Sequence, residues 1–303
     1  GIMEYIVDAE YENSRIDRLL KKICKDETLS NIFRALKKGD VRVNGAKIKE
    51  NYRLVLGDTV TIKYLKFQED VLTGILKESK KVYEDEYDNY YYKSLIIFEN
   101  EDFFIVNKPP QIPMHKGTGH KFGLSEIYKQ IYNNSNVNFA NRLDNDTSGL
   151  VIGCKNLKFL RYMTEKIRNN EIKKKYVAIV HGDIKDSYIK MENYLKVTEK
   201  NVIVSDEELK ESKKCISIVR KRNLRQEHLE KLMLFEEFEK MQNERITTLE
   251  IELMTGRKHQ IRAQKKKKKN PIVGDKKYGK KDVAKRLCLA CYKVEFDNFT
   301  FVI

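Results

Sequence analysis

The chain has 303 residues, 41% of them hydrophobic, with 60 Lys+Arg against 45 Asp+Glu and a formal net charge of +15. That length suits two domains of about 150 residues each, and the apolar content can fill a core, which excludes global disorder. No run approaches the roughly 18 apolar residues that span a bilayer, no charged-then-apolar leader is visible, and five scattered cysteines make no disulfide framework. The expectation is a cytoplasmic monomer without a membrane or protein partner, with Gly1-Ile2 ahead of Met3 taken as a cloning remnant.

The positive charge is unevenly spread. Residues 255–293 hold 12 Lys and 3 Arg against 2 Asp, whereas residues 69–88 hold 7 acids against 3 Lys. Phosphate contacts are therefore expected near the C-terminus, with a solvated lysine face as the plain alternative.

In chain order, Ile16, Leu19, Leu20 and Ile23 keep helical spacing. Ser30 is placed to N-cap a second helix containing Ile32, Phe33 and Leu36, which Gly39 stops. Val41 and Val43 alternate with polar residues, Asn44-Gly45 suits a hairpin turn, and Gly57-Asp58 precedes Val60-Thr61-Ile62. Residues 1–64 thus form an αα-plus-hairpin module, with Arg15, Arg18, Arg34, Lys37 and Lys38 on or near its helices as RNA-contact candidates. The pattern from Ser30 to Asp58 resembles the S4 RNA-binding domain. Residues 65–93, acidic and rich in tyrosine, are expected to be a linker that makes no RNA contact, and residues 94–303 a second domain. That domain begins with two strands around a turn at Glu99–Asp102, followed by a Pro-punctuated loop. "YVAIVHG" from Tyr176 is a strand ended by Gly182, and Leu249, Ile251 and Leu253 alternate along another that runs into Thr255-Gly256. Leu224–Asn243 is a helical insertion between strands. The class is α+β.

Several chemistries find no support. Gly117, Gly119 and Gly123 are one residue off a dinucleotide fingerprint, and Cys288 and Cys291 form a single C-x-x-C without a second pair. His115, His120, His181, His228 and His259 lack metal-ligand spacing, so no metal is expected. "NRLDNDTSGLVIG" remains, with Asp144 between Arg142 and a Thr-Ser-Gly turn before an apolar run. A carboxylate beside an apolar wall needs a cation to stay ionised, and such a group can attack a sugar anomeric carbon. "TGRKHQIR" supplies Arg257 and Arg262 as candidate partners. On spacing alone, a turn-capping aspartate in a structural ion pair fits Asp144 equally well.

"RLDNDTSGL", "KKKYVAIVHG", "MTGRKHQIR" and "NPIVGDKKYG", in this order after "FFIVNKPP", resemble the RluA-type pseudouridine synthases, and the S4-like module makes the likeness closer to their RluC/RluD-like branch. The resemblance implies an S4 domain followed by a catalytic domain with a mixed, mostly antiparallel sheet flanked by helices. It implies isomerisation of uridine in RNA, of the large ribosomal subunit in the first instance, without metal or dissociable cofactor. The same chemistry on transfer RNA, or a non-catalytic RNA-binding assembly factor, are the alternatives. By resemblance, Asp144 is the residue that attacks C1′ or otherwise assists glycosidic cleavage, and Arg142 enters the stack vacated by the flipped uridine. Tyr176 lies against the base and assists proton removal from C5, while Arg262 pairs with the catalytic carboxylate. Arg257, His259 and Lys108 are implied as substrate-binding, and Lys276 and Lys277 as part of the basic RNA surface. Three departures stand out: Asn141 and Ala290-Cys291 where the family has His and His-Ala, and Gln264 followed by Lys265–Lys269. Five lysines in a row either splay to solvent or mark a peculiarity of this sequence.

Overall fold

The computed structural model describes residues 2–8, 10–65, 89–116 and 122–303. Most of the expected linker, and Gly117, Gly119 and His120, lie outside the described residues. The elements in chain order are β1 (Ile2–Ile6), α1 (Ile16–Ile23), α2 (Leu29–Lys38), β2 (Val41–Val43), β3 (Thr59–Lys63), α3 (Asn89–Ser94), β4 (Ile96–Glu99) and β5 (Phe103–Lys108). There follow α4 (Leu124–Ile131), β6 (Asn138–Phe139), β7 (Ser148–Cys154), α5 (Leu157–Arg168), β8 (Lys173–His181), β9 (Tyr188–Val197), β10 (Val202–Ser205) and β11 (Lys213–Lys221). The last are α6 (Gln226–Lys231), α7 (Phe235–Lys240), β12 (Ile246–Leu253), α8 (Gln260–Lys267), β13 (Leu289–Phe296) and β14 (Phe299–Val302). Among the described residues, no helix is long and apolar enough to cross a membrane.

The chain divides into two compact units. The first comprises Gly1–Ile105, Pro113–Arg142 and Val151–Glu165. At its N-terminal end β1, β3 and β2 form an antiparallel sheet in that order. The helices α1 and α2 share a core with this sheet: Ile16, Leu19, Leu20, Ile32 and Leu36 meet Val41, Val43, Val60 and Ile62. The cap of α2 is Thr28 rather than Ser30, because the Thr28 hydroxyl accepts the Asn31 N–H at 3.1 Å. Gly39 ends the helix with φ 83°, a left-handed conformation that glycine adopts without a Cβ penalty. The Asn44-Gly45 turn and the Gly57-Asp58 loop are tied together through side chains. Asp58 accepts from Asn44 Nδ2 (2.9 Å), Tyr52 Oη (2.8 Å) and Val55 N (2.8 Å), and Asn44 Oδ1 accepts from Thr59 N (2.9 Å). The five-residue end of the expected linker, 89–93, lies within helix α3, which buries Tyr92.

The second unit comprises Val106–Ile112, Leu143–Leu150 and Lys166–Ile303. Its strands lie in the order β10-β9-β11-β12-β8-β13, each antiparallel to the next, with β14 antiparallel on β13. The start of β7 joins β13 in parallel, so the sheet is mixed and mostly antiparallel, as expected. β8 is buried on both faces from Tyr176 to His181, which suits a β-branched strand lying between two others. β12 alternates buried Thr247, Leu249 and Ile251 with half-exposed neighbours. The insertion forms α6 and α7, anchored by buried Leu229, Leu232 and Leu234.

Candidate active site

Asp144 stands in a tight turn, closed by Thr147 N–H donating to Asp144 O at 3.0 Å, immediately before β7. β7 begins at Ser148, so the apolar run that follows the Thr-Ser-Gly turn lies in the strand that Asp144 leads into. Gly149, at φ 121°, lets β7 approach β13, since a Cβ there would lie 2.2 Å from Cys291 O. The register Cys291↔Gly149 on one side of β13 and Cys291↔Tyr176 on the other brings Tyr176 to the same part of the sheet.

Helix α8 and the loop after it supply the cations and their partners. Arg262 donates through Nε and Nη2 to the two oxygens of Asp275 at 2.9 and 2.8 Å. Its third nitrogen, Nη1, reaches Asp144 Oδ2 at 3.5 Å. The resemblance pairs Arg262 with the catalytic carboxylate; here the fork is closed on Asp275, and Asp144 receives the outer, longer contact. The other oxygen of Asp144 lies 3.4 Å from His259 Nε2, and His259 Nδ1 lies 2.8 Å from Tyr278 Oη. With the Tyr278 hydroxyl donating to Nδ1, the imidazole proton sits on Nε2, towards Asp144. Tyr278 also places its ring 5.2 Å from the Arg262 guanidinium. His259 occupies the N-cap of α8 with a left-handed backbone, φ 52°, and its side chain makes no cap hydrogen bond.

The electrostatics follow from this packing. Burial opposes ionisation of Asp275, but the hydrogen bonds from Arg262 and from the Tyr278 and Lys277 amides outweigh it and hold the carboxyl below its usual range. Burial works against charge on Arg262 too, and the two carboxylates reverse the balance and raise its pKa. Burial lowers the pKa of His259 despite the nearby Asp144, so the ring is neutral at pH 7. Burial pushes the Tyr176 hydroxyl well above its ordinary value, with Cys291 and Asp144 adding to the rise. A phenol so held keeps its proton at neutral pH. Asp144 itself is 27% exposed, a carboxylate fixed at both oxygens and still reachable. Such a group can act as a nucleophile towards an electrophilic carbon placed over it.

The remaining candidates fall into three groups. Lys108 is fully buried, and its ammonium donates to Pro109 O (3.0 Å), Ile112 O (2.9 Å) and Asn145 O (3.2 Å). It fastens the residue after Asp144 and presents nothing to a substrate, which corrects the expected binding role; burial lowers its pKa to about 7. Arg257 directs Nε to Lys214 O at 3.1 Å, away from Asp144's two partners. Arg142 belongs to the first unit and is exposed, as are Arg18, Arg34, Lys37 and Lys38, whereas Arg15 is closed in a fork on Asp17 at 3.0 and 3.2 Å. Lys276 and Lys277 are exposed beside Asp275. Of the basic residues in 255–293, Arg262, Lys265 and Arg286 are buried, so the run is not a uniform solvated face.

Lysines 265–269 divide at the first residue. Lys266, Lys267, Lys268 and Lys269 are exposed, but Lys265 is 1% exposed. Gln264 beside it is buried in an amide network. Its Oε1 accepts from Ser217 Oγ (2.7 Å), and its Nε2 donates to Asn193 Oδ1 (3.2 Å) and Met191 O (3.3 Å). Gln260 Nε2 in turn donates to Ser217 Oγ (2.8 Å) and Ile216 O (3.0 Å). These bonds fasten α8 to β9 and β11, next to an apolar cluster of Leu195, Val202, Cys215, Ala263 and Tyr278. Among the described residues, no group of three His, Cys, Asp or Glu is placed to hold a metal ion.

Asp275 and Tyr278 are the site residues to which no role was assigned from sequence. The signal lay in "GDKKYG", where an acid and an aromatic three apart flank two lysines.

Comparison with known proteins places these residues in a wider set. A family model described as RNA pseudouridylate synthase matches residues 102–267. The chain is 32% identical over 274 residues to the ribosomal large subunit pseudouridine synthase C of Buchnera aphidicola, covering 88% of this chain and 78% of the relative. It is 31% identical over 307 residues to the protein of the same name from Haemophilus influenzae, covering 96% and 86% respectively. Among solved structures, human RNA pseudouridylate synthase domain containing 4 superimposes with a TM-score of 0.54 at 16% identity, covering 71% of this chain and 91% of that one. Human RNA pseudouridylate synthase domain containing 1 gives 0.53 at 18% identity, covering 69% and 81%.

Proposed function

The chain belongs to the RNA pseudouridylate synthase family, and from that membership we propose that it converts uridines of large-subunit ribosomal RNA to pseudouridine. The observation that carries the substrate is the likeness, along nearly the whole chain, to relatives named for the large ribosomal subunit. The protein is an RNA pseudouridine synthase, an isomerase. The isomerisation exchanges the C1′–N1 bond for a C1′–C5 bond, with a proton lost from C5 and one taken up at N1, so atoms balance without an oxidant or reductant. Neither atom is accessible in a base stack, so the uridine has to be flipped out at a cost of a few kcal/mol.

Asp144 is assigned the attack on C1′ or assistance to its cleavage. The contacts at its two oxygens support that role, because they aim the carboxylate without enclosing it. Arg262, locked on Asp275, holds positive charge beside the carboxylate as bonds change. Tyr176, 6% exposed, is assigned the place against the extruded base, where stacking contributes about 1–3 kcal/mol. Arg142, exposed two residues before Asp144, is assigned to the vacated stack. The exposed lysines around 266–281 and the N-terminal S4-like module are assigned the phosphate backbone. A cytoplasmic location follows from such a substrate.

Pseudouridine mapping by carbodiimide-stop sequencing of total RNA tests this reading. Deletion of the gene should remove stops in large-subunit rRNA, and Asp144→Asn should fail to restore them. Loss confined to transfer RNA would refute the substrate, and full restoration by the Asn variant would refute the role of Asp144.

A further inference from the structure

The helical insertion between β11 and β12 is an element the reaction does not use directly, yet it ends on a buried guanidinium that also holds the start of β7. Arg286 is 8% exposed and forms no ion pair among the described residues. Every nitrogen of its fork meets oxygen instead. Nε donates to Leu287 O (2.8 Å), Nη1 to Met233 O (3.1 Å) and Leu232 O (3.5 Å), and Nη2 to Ser148 Oγ (3.0 Å) and Leu289 O (3.2 Å).

Three of these partners, Ser148, Leu232 and Met233, belong to distant parts of the chain. Ser148 is buried, opens β7, and directly follows Thr147, whose N–H closes the Asp144 turn. Leu232 and Met233 form the α6–α7 turn, with Met233 at φ 59°. The same turn is fastened a second time where buried Glu237 accepts the Lys285 N–H at 2.9 Å. Burial disfavours the charge on Arg286, and a buried cation without a carboxylate is costly unless directional bonds satisfy it. A planar fork with five donors can span two segments in a way that a lysine cannot.

We propose that Arg286 is a positioning residue for the reaction, spanning from the α6–α7 turn to Ser148 and thereby setting where the Asp144 turn sits. The insertion then belongs to the catalytic framework. This inference rests on the assignment of Asp144 as the reacting carboxylate. It acts through geometry, because displacement of a reacting group by about 1 Å costs up to 100-fold in rate.

The test is a double-mutant cycle in the full-length protein, with steady-state pseudouridine formation measured on large-subunit rRNA transcripts. Ser148→Ala and Arg286→Lys should each lower kcat about tenfold with KM little changed, and the double variant should be no worse than the slower single one, because both remove one link. Ser148→Ala takes one acceptor from a buried cation, so its melting temperature should fall while the protein stays folded at the assay temperature; a loss confined to kcat in that folded protein is what a purely structural role would not produce. Wild-type kcat in Ser148→Ala, multiplied losses in the double variant, or a defect confined to KM would overturn the proposal. If Arg286→Lys does not fold, Ser148→Ala decides alone on the same criterion. A wild-type protein inert on these transcripts refutes the substrate reading and this inference with it, whereas an active wild type with unaffected variants refutes only the inference.

Discussion

Replacing Lys265 by methionine should stabilise the protein, against the usual direction for a buried position. The lysine is 1% exposed and has its pKa lowered from 10.5 to about 8, chiefly by burial and then by Lys268. At about 1.4 kcal/mol per pH unit, that interval corresponds to ~3 kcal/mol of folding free energy withheld while the amine is charged. The pH dependence has a definite sign. Below pH 8 both states are protonated and the whole cost applies. Between pH 8 and 10.5 the folded amine loses its proton while the unfolded one keeps it, so stability rises with pH. Lys265→Met deletes the cost with little change in volume, so its advantage should be about 3 kcal/mol at pH 7 and close to nil above pH 10.5. At about 2–4 °C per kcal/mol, the melting temperature at pH 7 should rise by roughly 6–12 °C. Urea midpoints of both proteins at pH 7, 9 and 10 measure the difference directly. A variant no more stable than the wild type at pH 7, or an advantage independent of pH, would refute the reasoning.

Three further outcomes are expected. Asp275→Asn breaks a buried pair and should cost about 3–5 kcal/mol, and the wild-type loss of stability as pH falls through the depressed Asp275 pKa, below its ordinary 3.8, should be absent from the variant's acid titration. His259 is neutral at pH 7, and its protonation would turn the contact with Asp144 into an ion pair that weakens the nucleophile. Wild-type kcat should therefore fall as pH drops below 6.5, and His259→Asn should show no such limb; a limb unchanged in the variant assigns it elsewhere. If Lys276 and Lys277 touch phosphate, alanine at both should weaken binding to rRNA fragments uniformly and reduce the salt slope by about 1 per lysine in a filter-binding titration. An unchanged slope removes them from the interface.

What was legible in the sequence was local. Helical spacing located α1 and α2 closely, and Asn44-Gly45 with Gly57-Asp58 marked two turns whose side chains the structure joins. The cap of α2 was misplaced by two residues because Thr28 and Ser30 offer the same hydroxyl, and only the actual entry angle of the chain chooses between them. Asp144, Arg262 and Tyr176 stand out in the sequence because each lies in a distinctive motif, and the structure brings them to one part of the sheet. Partnerships were not legible. Arg262 and Asp275 are 13 residues apart and meet only after α8 and its following loop have packed, so an acid between a glycine and two lysines carried no sign of its partner. The burial of Lys108 and Lys265 was not legible, because a charged side chain in sequence looks destined for water or substrate. That three carbonyls await Lys108, and a buried place Lys265, is decided by tertiary packing.

The amide network beneath α8 has a consequence for how finely that helix is oriented. Apolar contacts tolerate a small roll of a helix about its own axis, because one methyl group can replace another. Gln260 and Gln264 cannot roll: Ser217 Oγ accepts from one and donates to the other, so any rotation leaves a buried donor or acceptor orphaned, at about 1–3 kcal/mol each. Since residues on a helix are 100° apart, a slip of one position would swing Arg262 away from Asp275 and Asp144 together. None of the three side chains in this ratchet titrates near neutral pH. The angular setting of α8 is thus insulated from acidity, while His259 on the same helix stays free to respond to it.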